Sequence, residues 1–329
     1  MDWKLRPVLV TGAGGFIGSH LVEALAESGA RVRAFVRYNS RGDVGLLSLL
    51  PPALRAEIEI VAGDLRDPHA VVQACQGVTH VFHLGALIAI PYSYLHPYEV
   101  VETNVLGTLN VLQAARQTGV ERVIHTSTSE VYGTARAVPI SEEHPLQGQS
   151  PYSASKIGAD KLVESFYCSY DLPVVTVRPF NAFGPRQSAR AVIPTIITQA
   201  LVQDQLKLGD LSPRRDFTYV ADTVDGFLRA ASATGVVGET INVGSGSEIT
   251  IGALVDQIVQ LVGRPVQVVT DEQRLRPAQS EVRRLLADNS KAKKLLGWTP
   301  RVSLDAGLSR TIAWISQHLD LYRPGVYQV

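Results

Sequence analysis

Cysteine is nearly absent from this chain: only Cys75 and Cys168 occur in 329 residues, and methionine occurs once. Two thiols cannot build a disulfide framework, which excludes the small cross-linked secreted scaffolds and any cysteine-rich zinc module. An excess of charge of either sign is also missing, since 31 basic residues balance 31 acidic ones. That balance offers neither the basic face that nucleic acid requires nor a polybasic patch for a membrane surface, so neither partner is expected. No basic-then-apolar segment resembling a signal peptide stands at the N-terminus, and a cytoplasmic location is expected. Residues 68–98 hold no Asp, Glu, Lys or Arg, yet Gln, His, Thr and prolines interrupt them, so a membrane span is not expected. His20, His80, His83 and His125 are scattered without metal-ligand spacing, and no metal is expected.

What is present is a regular rhythm. Apolar strand candidates fall at residues 5–10, 31–36, 58–62, 80–84, 122–126, 174–178 and 239–243. Helical spacing falls between most of them, at residues 19–28, 69–74, 98–118 and 153–170. Such alternation predicts an α/β fold with a parallel sheet covered on both faces. After Arg178 the pattern turns to loops with a helix near 193–202, then returns to helix at 222–231 and strand at 239–243. With 45% apolar residues the chain can bury a large core. The division this predicts is a dinucleotide-binding domain over 1–178, with 222–244 returning to it, and a smaller lobe over 179–221 and 245–329.

The first strand runs into Thr11-Gly12-Ala13-Gly14-Gly15-Phe16-Ile17-Gly18 before helical spacing begins. Strand, glycine turn and helix form the context of a phosphate cradle. Glycines at 12, 15 and 18 permit a tight turn, close approach of backbone amides to a pyrophosphate, and close packing of helix on sheet. Downstream, Tyr152 and Lys156 stand four residues apart, a spacing that puts both on one helix face. A phenol whose pKa is lowered by a neighbouring ammonium is a suitable base for oxidising an alcohol.

Taken with Gly63-Asp64-Leu65, His83-Leu84-Gly85-Ala86, Asn104, Ser127-Thr128, Arg178-Pro179-Phe180-Asn181 and Gly184-Pro185, these motifs resemble the extended short-chain dehydrogenase/reductase family acting on nucleotide sugars. The likeness spans essentially the whole chain. It implies a Rossmann-like doubly wound parallel sheet with a smaller C-terminal substrate-binding lobe. It also implies a homodimer through a four-helix bundle of the helices at 98–118 and 153–170, with Leu106, Leu109, Leu162 and Phe166 as candidate exposed apolar residues. A cofactor site carries over onto Gly12, Gly14, Gly15, Phe16, Ile17 and Gly18, then Asp64, Leu65, Leu84, Gly85 and Ala86. Asn104, Thr126, Tyr152, Lys156 and Pro179 complete it, and His83 is expected to pack under the nicotinamide ribose.

Epimerases, dehydratases and decarboxylases share these motifs, so the reaction must be argued from Ser127-Thr128-Ser129-Glu130-Val131-Tyr132-Gly133. The resemblance implies that Tyr152 takes the sugar 4-hydroxyl proton while Thr128 holds that oxygen. The resulting ketone acidifies C5, and a carboxylate at Glu130 can take that proton and drive loss of the C6 hydroxyl as water. A 4-epimerase has no use for such a carboxylate. Dehydratases of dTDP-glucose carry an aspartate where Ser129 stands, so Glu130 is expected to return its proton to the leaving hydroxyl while Ser129 only hydrogen-bonds.

Other segments resemble nucleotide-sugar 4,6-dehydratases of the GDP-mannose type (residues 208–216) and of the legionaminic-acid-pathway N-acetylglucosamine type (residues 86–94, with Arg276-Pro277, Ser280-Glu281-Val282 and Trp298). The expected activity is therefore dehydration of a UDP- or GDP-linked hexose or N-acetylglucosamine. UDP-glucuronate decarboxylation, 4-epimerisation and a non-catalytic cofactor-binding protein are the alternatives. Candidate substrate residues are Ile88, Thr128, Ser129, Asn181, Arg186, Val192, Ile193, Lys207 and Leu208. Arg215 and Arg276 join them as bidentate phosphate clamps. At the end of the second strand no acid stands to hold the adenosine ribose. Arg37, Asn39 and Ser40 are there instead, which favours NADP, with NAD as the alternative.

Overall fold

The computed structural model describes residues 2–327. Its centre is a seven-stranded parallel sheet. From one edge the strands are Thr240–Val243, Val174–Pro179, Arg122–Thr126, His80–His83, Pro7–Thr11, Arg31–Arg37 and Glu59–Gly63. The central strands are buried along nearly their whole length because helices cover both faces, which is why they read as largely apolar runs rather than alternating ones. The first strand pairs the second on one side and the fourth on the other, so the chain reverses its winding there. At that switch point a crevice opens beyond the carboxyl ends of the strands, where ligands of open α/β sheets bind. The Rossmann-like sheet expected from the sequence is therefore present.

Three departures from the expected elements have physical causes. The helix at 98–118 is not continuous: Pro97–Val101 leads through a π turn, Glu102–Leu106, into Gly107–Thr118. The wide turn lets the Asn104 side chain bond the Leu87 backbone on both its NH and CO sides (2.8 and 2.9 Å) and the Ser155 hydroxyl (2.9 Å). The sixth strand does not dissolve directly into loop. Asn181–Phe183 pairs in parallel with Phe217–Tyr219, and Gln205–Leu208 with Gln267–Thr270. Of the apolar residues expected on the outer helical face, Phe166 is buried and Leu109 and Leu162 pack against the same core, while Leu106 stays exposed. Tyr98 and Val101 are exposed beside it.

The C-terminal half is anchored by Trp298, which is fully buried and donates its indole NH to the Asp222 carbonyl at 2.9 Å. The Asp222 carboxylate accepts the backbone NH groups of Arg301 and Val302. Asp216 ties this half to the strand edge by accepting from Ser245, Gly246 and Ala287. Arg215 is thus held on a rigid support.

Candidate active site

The glycine turn is built so that backbone meets backbone. A Cβ at Gly18 would stand 2.2 Å from the Gly12 carbonyl oxygen, and one at Gly12, whose φ is +69°, would stand 2.8 Å from the Gly85 nitrogen. A Cβ at Gly14 would stand 2.7 Å from the Val44 carbonyl oxygen. No side chain caps the helix Phe16–Glu27 at Gly15, which leaves its first amides free for an anion. Gly85 is held by its NH to the Thr11 hydroxyl (3.0 Å), with Leu65 packed against its Cα side. The Thr126 hydroxyl is buried with no partner in the protein. An uncapped helix start, a cradle that Cβ atoms would fill and an orphaned buried hydroxyl fit a dinucleotide.

Tyr152, Lys156 and Asp160 lie one turn apart on the helix Pro151–Tyr170, whose start is fixed by the Ser150–Ser153 capping box. All three are buried. Lys156 Nζ donates to the Thr126 carbonyl oxygen at 2.7 Å. Burial brings its pKa down to about 8, with the Asp160 carboxylate working against that fall. Burial pushes the Tyr152 phenol well above its ordinary value; the Thr128 hydroxyl pulls the other way, and the charges of Glu130 and Asp160 add to the rise. The lowered phenol expected from Lys156 is therefore not what the free chain has: burial raises it, and the Lys156 ammonium is spent on the Thr126 carbonyl.

Asp160 is the site residue that motif reading missed. Its carboxylate accepts from Ser127 Oγ (2.7 Å), His125 Nε2 (3.1 Å) and Arg178 (2.9 and 3.2 Å). Burial opposes its charge, yet the His125 bond and the Arg178 and Lys156 charges bring the carboxyl down to about 2. From Arg178 the network continues to the Tyr132 hydroxyl (2.9 Å) and on to Asn242 (2.7 Å) in the edge strand. A signal existed: Asp160 follows Lys156 by the interval at which Lys156 follows Tyr152. His83 is equally buried between the Thr11 and Thr108 hydroxyls, and burial keeps it neutral. Among the described residues no cluster of three or more His, Cys, Asp or Glu could hold a metal ion, and no helix is long and apolar enough to cross a membrane.

Thr128, Ser129 and Glu130 lie just past the fifth strand. The Thr128 side chain caps a short 3-10 turn, Ser129–Tyr132, by accepting from the Glu130 amide. Ser129 is buried and Glu130 half-buried. The Glu130 charge reaches both the Tyr152 phenol and the Arg215 guanidinium. Among the described residues it forms no ion pair within 4.0 Å. Arg215 and Arg276 converge on Glu281, at 3.0 and 3.7 Å. Arg186 is not with them: it pairs with Glu23 of the first helix at 2.8 Å. Val192 and Ile193 open the helix Val192–Val202, Lys207 and Leu208 close the strand Gln205–Leu208, and Asn181 starts its short strand. Pro179 ends the sixth strand, and Ile88 is exposed in the loop that Asn104 holds.

Two of the three residues expected to favour NADP are otherwise engaged. Arg37 pairs with Glu99 at 3.3 Å, and the Asn39 side chain closes its own loop by accepting from Arg41 and Asp43 and donating to the Asp43 carbonyl. Ser40 is exposed. Asp64 is held by Arg66 through two bonds, of 3.0 and 2.7 Å.

The chain matches the family model of GDP-mannose 4,6 dehydratase over residues 9–311. It belongs to the NAD-dependent epimerase/dehydratase family of nucleotide-sugar enzymes, with the short-chain dehydrogenase/reductase fold. It is 36% identical over 312 residues to a UDP-glucose 4-epimerase of Mycolicibacterium smegmatis, covering 92% of this chain and 96% of the relative. Among solved structures it resembles the epimerase Mth375 of Methanothermobacter thermautotrophicus (TM-score 0.89, 33% identity, covering 97% of this chain and 94% of the other). It also resembles DesIV, a dTDP-glucose 4,6-dehydratase of Streptomyces venezuelae solved with NAD and TYD (TM-score 0.87, 31% identity, 97% and 99%). The preference for NADP finds no support in these relatives or in the side chains at the second strand.

Asp160 supplies a test by pH. Its carboxyl is lower folded than free, so its stabilisation is complete above the free value near 4 and is lost as pH falls toward about 2, a contribution on the order of 2 kcal/mol. Asp160→Asn removes it and strands Arg178, at a cost of about 3–5 kcal/mol at pH 7. Urea unfolding should show the gap between wild type and variant narrowing from pH 7 to pH 2.

Proposed function

We propose that this protein is a nucleotide-diphosphate-sugar 4,6-dehydratase. The observation that carries the reading is Glu130: a half-buried carboxylate between Tyr152 and Arg215, uncommitted to any ion pair, whereas the nearby Asp160 and Glu281 are both taken up by arginines. A nicotinamide cofactor held there would supply reversible hydride transfer, out of C4 and into C6. The chain's residues do the rest. Tyr152 holds and accepts the 4-hydroxyl proton, Thr128 keeps that oxygen in place, and Lys156, one turn along the same helix, is the cation we assign to offset charge on the phenol. Glu130 takes the C5 proton made acidic by the new ketone and passes it to the departing C6 hydroxyl, which leaves as water; C5 regains a proton from solvent when hydride returns at C6. Ser129 has no acidic proton to give, so one carboxylate serves both tasks.

Arg215 and Arg276 hold the diphosphate, exchanging Glu281 for the stronger bidentate contact of phosphate oxygens. The remaining expected contacts, Asn181, Val192, Ile193, Lys207 and Leu208, lie on elements that flank these arginines, and Ile88 lies on the loop facing the sugar. Arg186, bound to Glu23, is left with a structural role. Gly12–Gly18 would hold a dinucleotide, with Asp64, Leu65, Leu84, Gly85, Ala86 and Asn104 forming or supporting the wall beside it. NAD fits the second-strand side chains better than NADP. A second reading, 4-epimerisation, is favoured by the identity to the mycobacterial epimerase.

Purified protein given UDP-glucuronate, UDP-N-acetylglucosamine and GDP-N-acetylglucosamine should yield, from an N-acetylhexosamine, a product lighter by one water. An epimer of unchanged mass or loss of carbon dioxide overturns the reading. Glu130→Gln should lower turnover by about 10²–10⁴-fold.

We further infer a homodimer through the exposed apolar face made by Tyr98, Val101 and Leu106, beside the helix that carries Tyr152. Wild type should elute at twice the chain mass, and Val101→Asp with Leu106→Asp should elute at the chain mass. A monomeric wild type refutes the interface.

A further inference from the structure

The second strand ends at Arg37, two residues beyond Phe35, which lies in register with Thr11 at the start of the glycine turn. The Ala13 amide also bonds the Phe35 carbonyl (3.4 Å), so the end of this strand flanks the cradle on the side where a dinucleotide places its adenosine ribose. A basic residue there ordinarily accommodates a 2′-phosphate. Here the guanidinium is already paired with a carboxylate. Glu99, from the first turn of the helix Pro97–Val101, meets Arg37 at 3.3 Å, and its second carboxylate oxygen accepts the Tyr92 hydroxyl. The Tyr92 bond and then the Arg37 charge hold the Glu99 carboxyl below its usual range, so it is ionised at neutral pH. Arg66, the other nearby cation, is committed to Asp64 at 2.7 Å and Glu102 at 3.6 Å.

Resting on the reading of this crevice as a dinucleotide site, we propose that Glu99 is the cofactor-selecting residue: it occupies Arg37 and sets a fixed negative charge where a 2′-phosphate would enter, so the chain takes NAD and rejects NADP. A 2′-phosphate has to displace one carboxylate from Arg37 and then remain beside it, while the 2′-hydroxyl of NAD meets no repulsion. This is discrimination by an unfavourable contact with the wrong ligand rather than by an extra bond to the right one. The Arg37 side chain is 64% exposed, so solvent screening makes the effect moderate.

Calorimetric titration of the full chain with NAD and NADP tests this without turnover. Wild type should bind NAD more tightly. Glu99→Gln keeps an oxygen for Tyr92 and lies at the crevice edge, so NAD binding should stay within about twofold and report an intact fold. NADP binding should tighten about three- to fivefold, as expected for freeing one screened charge contact. Adding Arg37→Ser to Glu99→Gln should erase that gain. If NAD binds and Glu99→Gln leaves NADP affinity unchanged, or if the gain survives Arg37→Ser, the role of Glu99 is wrong. If wild type binds neither dinucleotide, the cofactor reading of the crevice fails, and this proposal with it.

Discussion

One buried carboxylate organises the site. Asp160 sits in the core with its charge intact because Arg178, His125 and Ser127 all turn toward it. An isolated carboxylate at such depth would take up a proton instead. The consequences run in two directions. Along the helix, its charge is what lets Lys156 remain buried one turn away from it. Across the sheet, Arg178 carries the network through Tyr132 to Asn242, joining the edge strand to the loop that follows the fifth strand. Thr128, Ser129 and Glu130 therefore stand on a support braced from beneath.

The contrast among Asp160, Glu281 and Glu130 follows from this arrangement. Asp160 is saturated with donors, and Glu281 lies between two arginines. Only Glu130 of the three has no close cation, though it stands where its charge is felt by the phenol. Similar groups acquire different tasks when their surroundings differ, and two committed carboxylates leave the third for chemistry. The Glu281 pairing also bears on the diphosphate. An arginine couple sharing one carboxylate is half neutralised until a further anion arrives, and the Glu281 pairing is what supports Arg215 at near-complete burial.

Much of this was legible in the chain. The glycine turn was readable because close backbone approach tolerates no Cβ, and Gly12 and Gly18 meet carbonyl and amide atoms at distances no other residue permits. The sheet was readable because a doubly covered strand must be apolar throughout. Tyr152 and Lys156 could be paired from helical spacing alone. What escaped depends on contacts between residues far apart in sequence. Glu99 lies 62 positions from Arg37, so the cation at the second strand looked free when it is not. Arg186 seemed to belong with the other arginines until the fold set it on Glu23. The π turn at Glu102–Leu106 has no periodicity of its own; it exists because Asn104 is needed by Leu87 and Ser155. The phenol's high pKa reflects desolvation, which helical spacing does not reveal.

Family membership leaves dehydration and epimerisation both within reach, and the difference between them is whether a proton leaves C5. Turnover in heavy water, read by mass spectrometry of the sugar product, measures this directly. The account predicts a product that has lost water and carries solvent deuterium at C5. A product that retains its original C5 hydrogen would mean that Glu130 removes nothing, and would return the protein to simple redox inversion at C4.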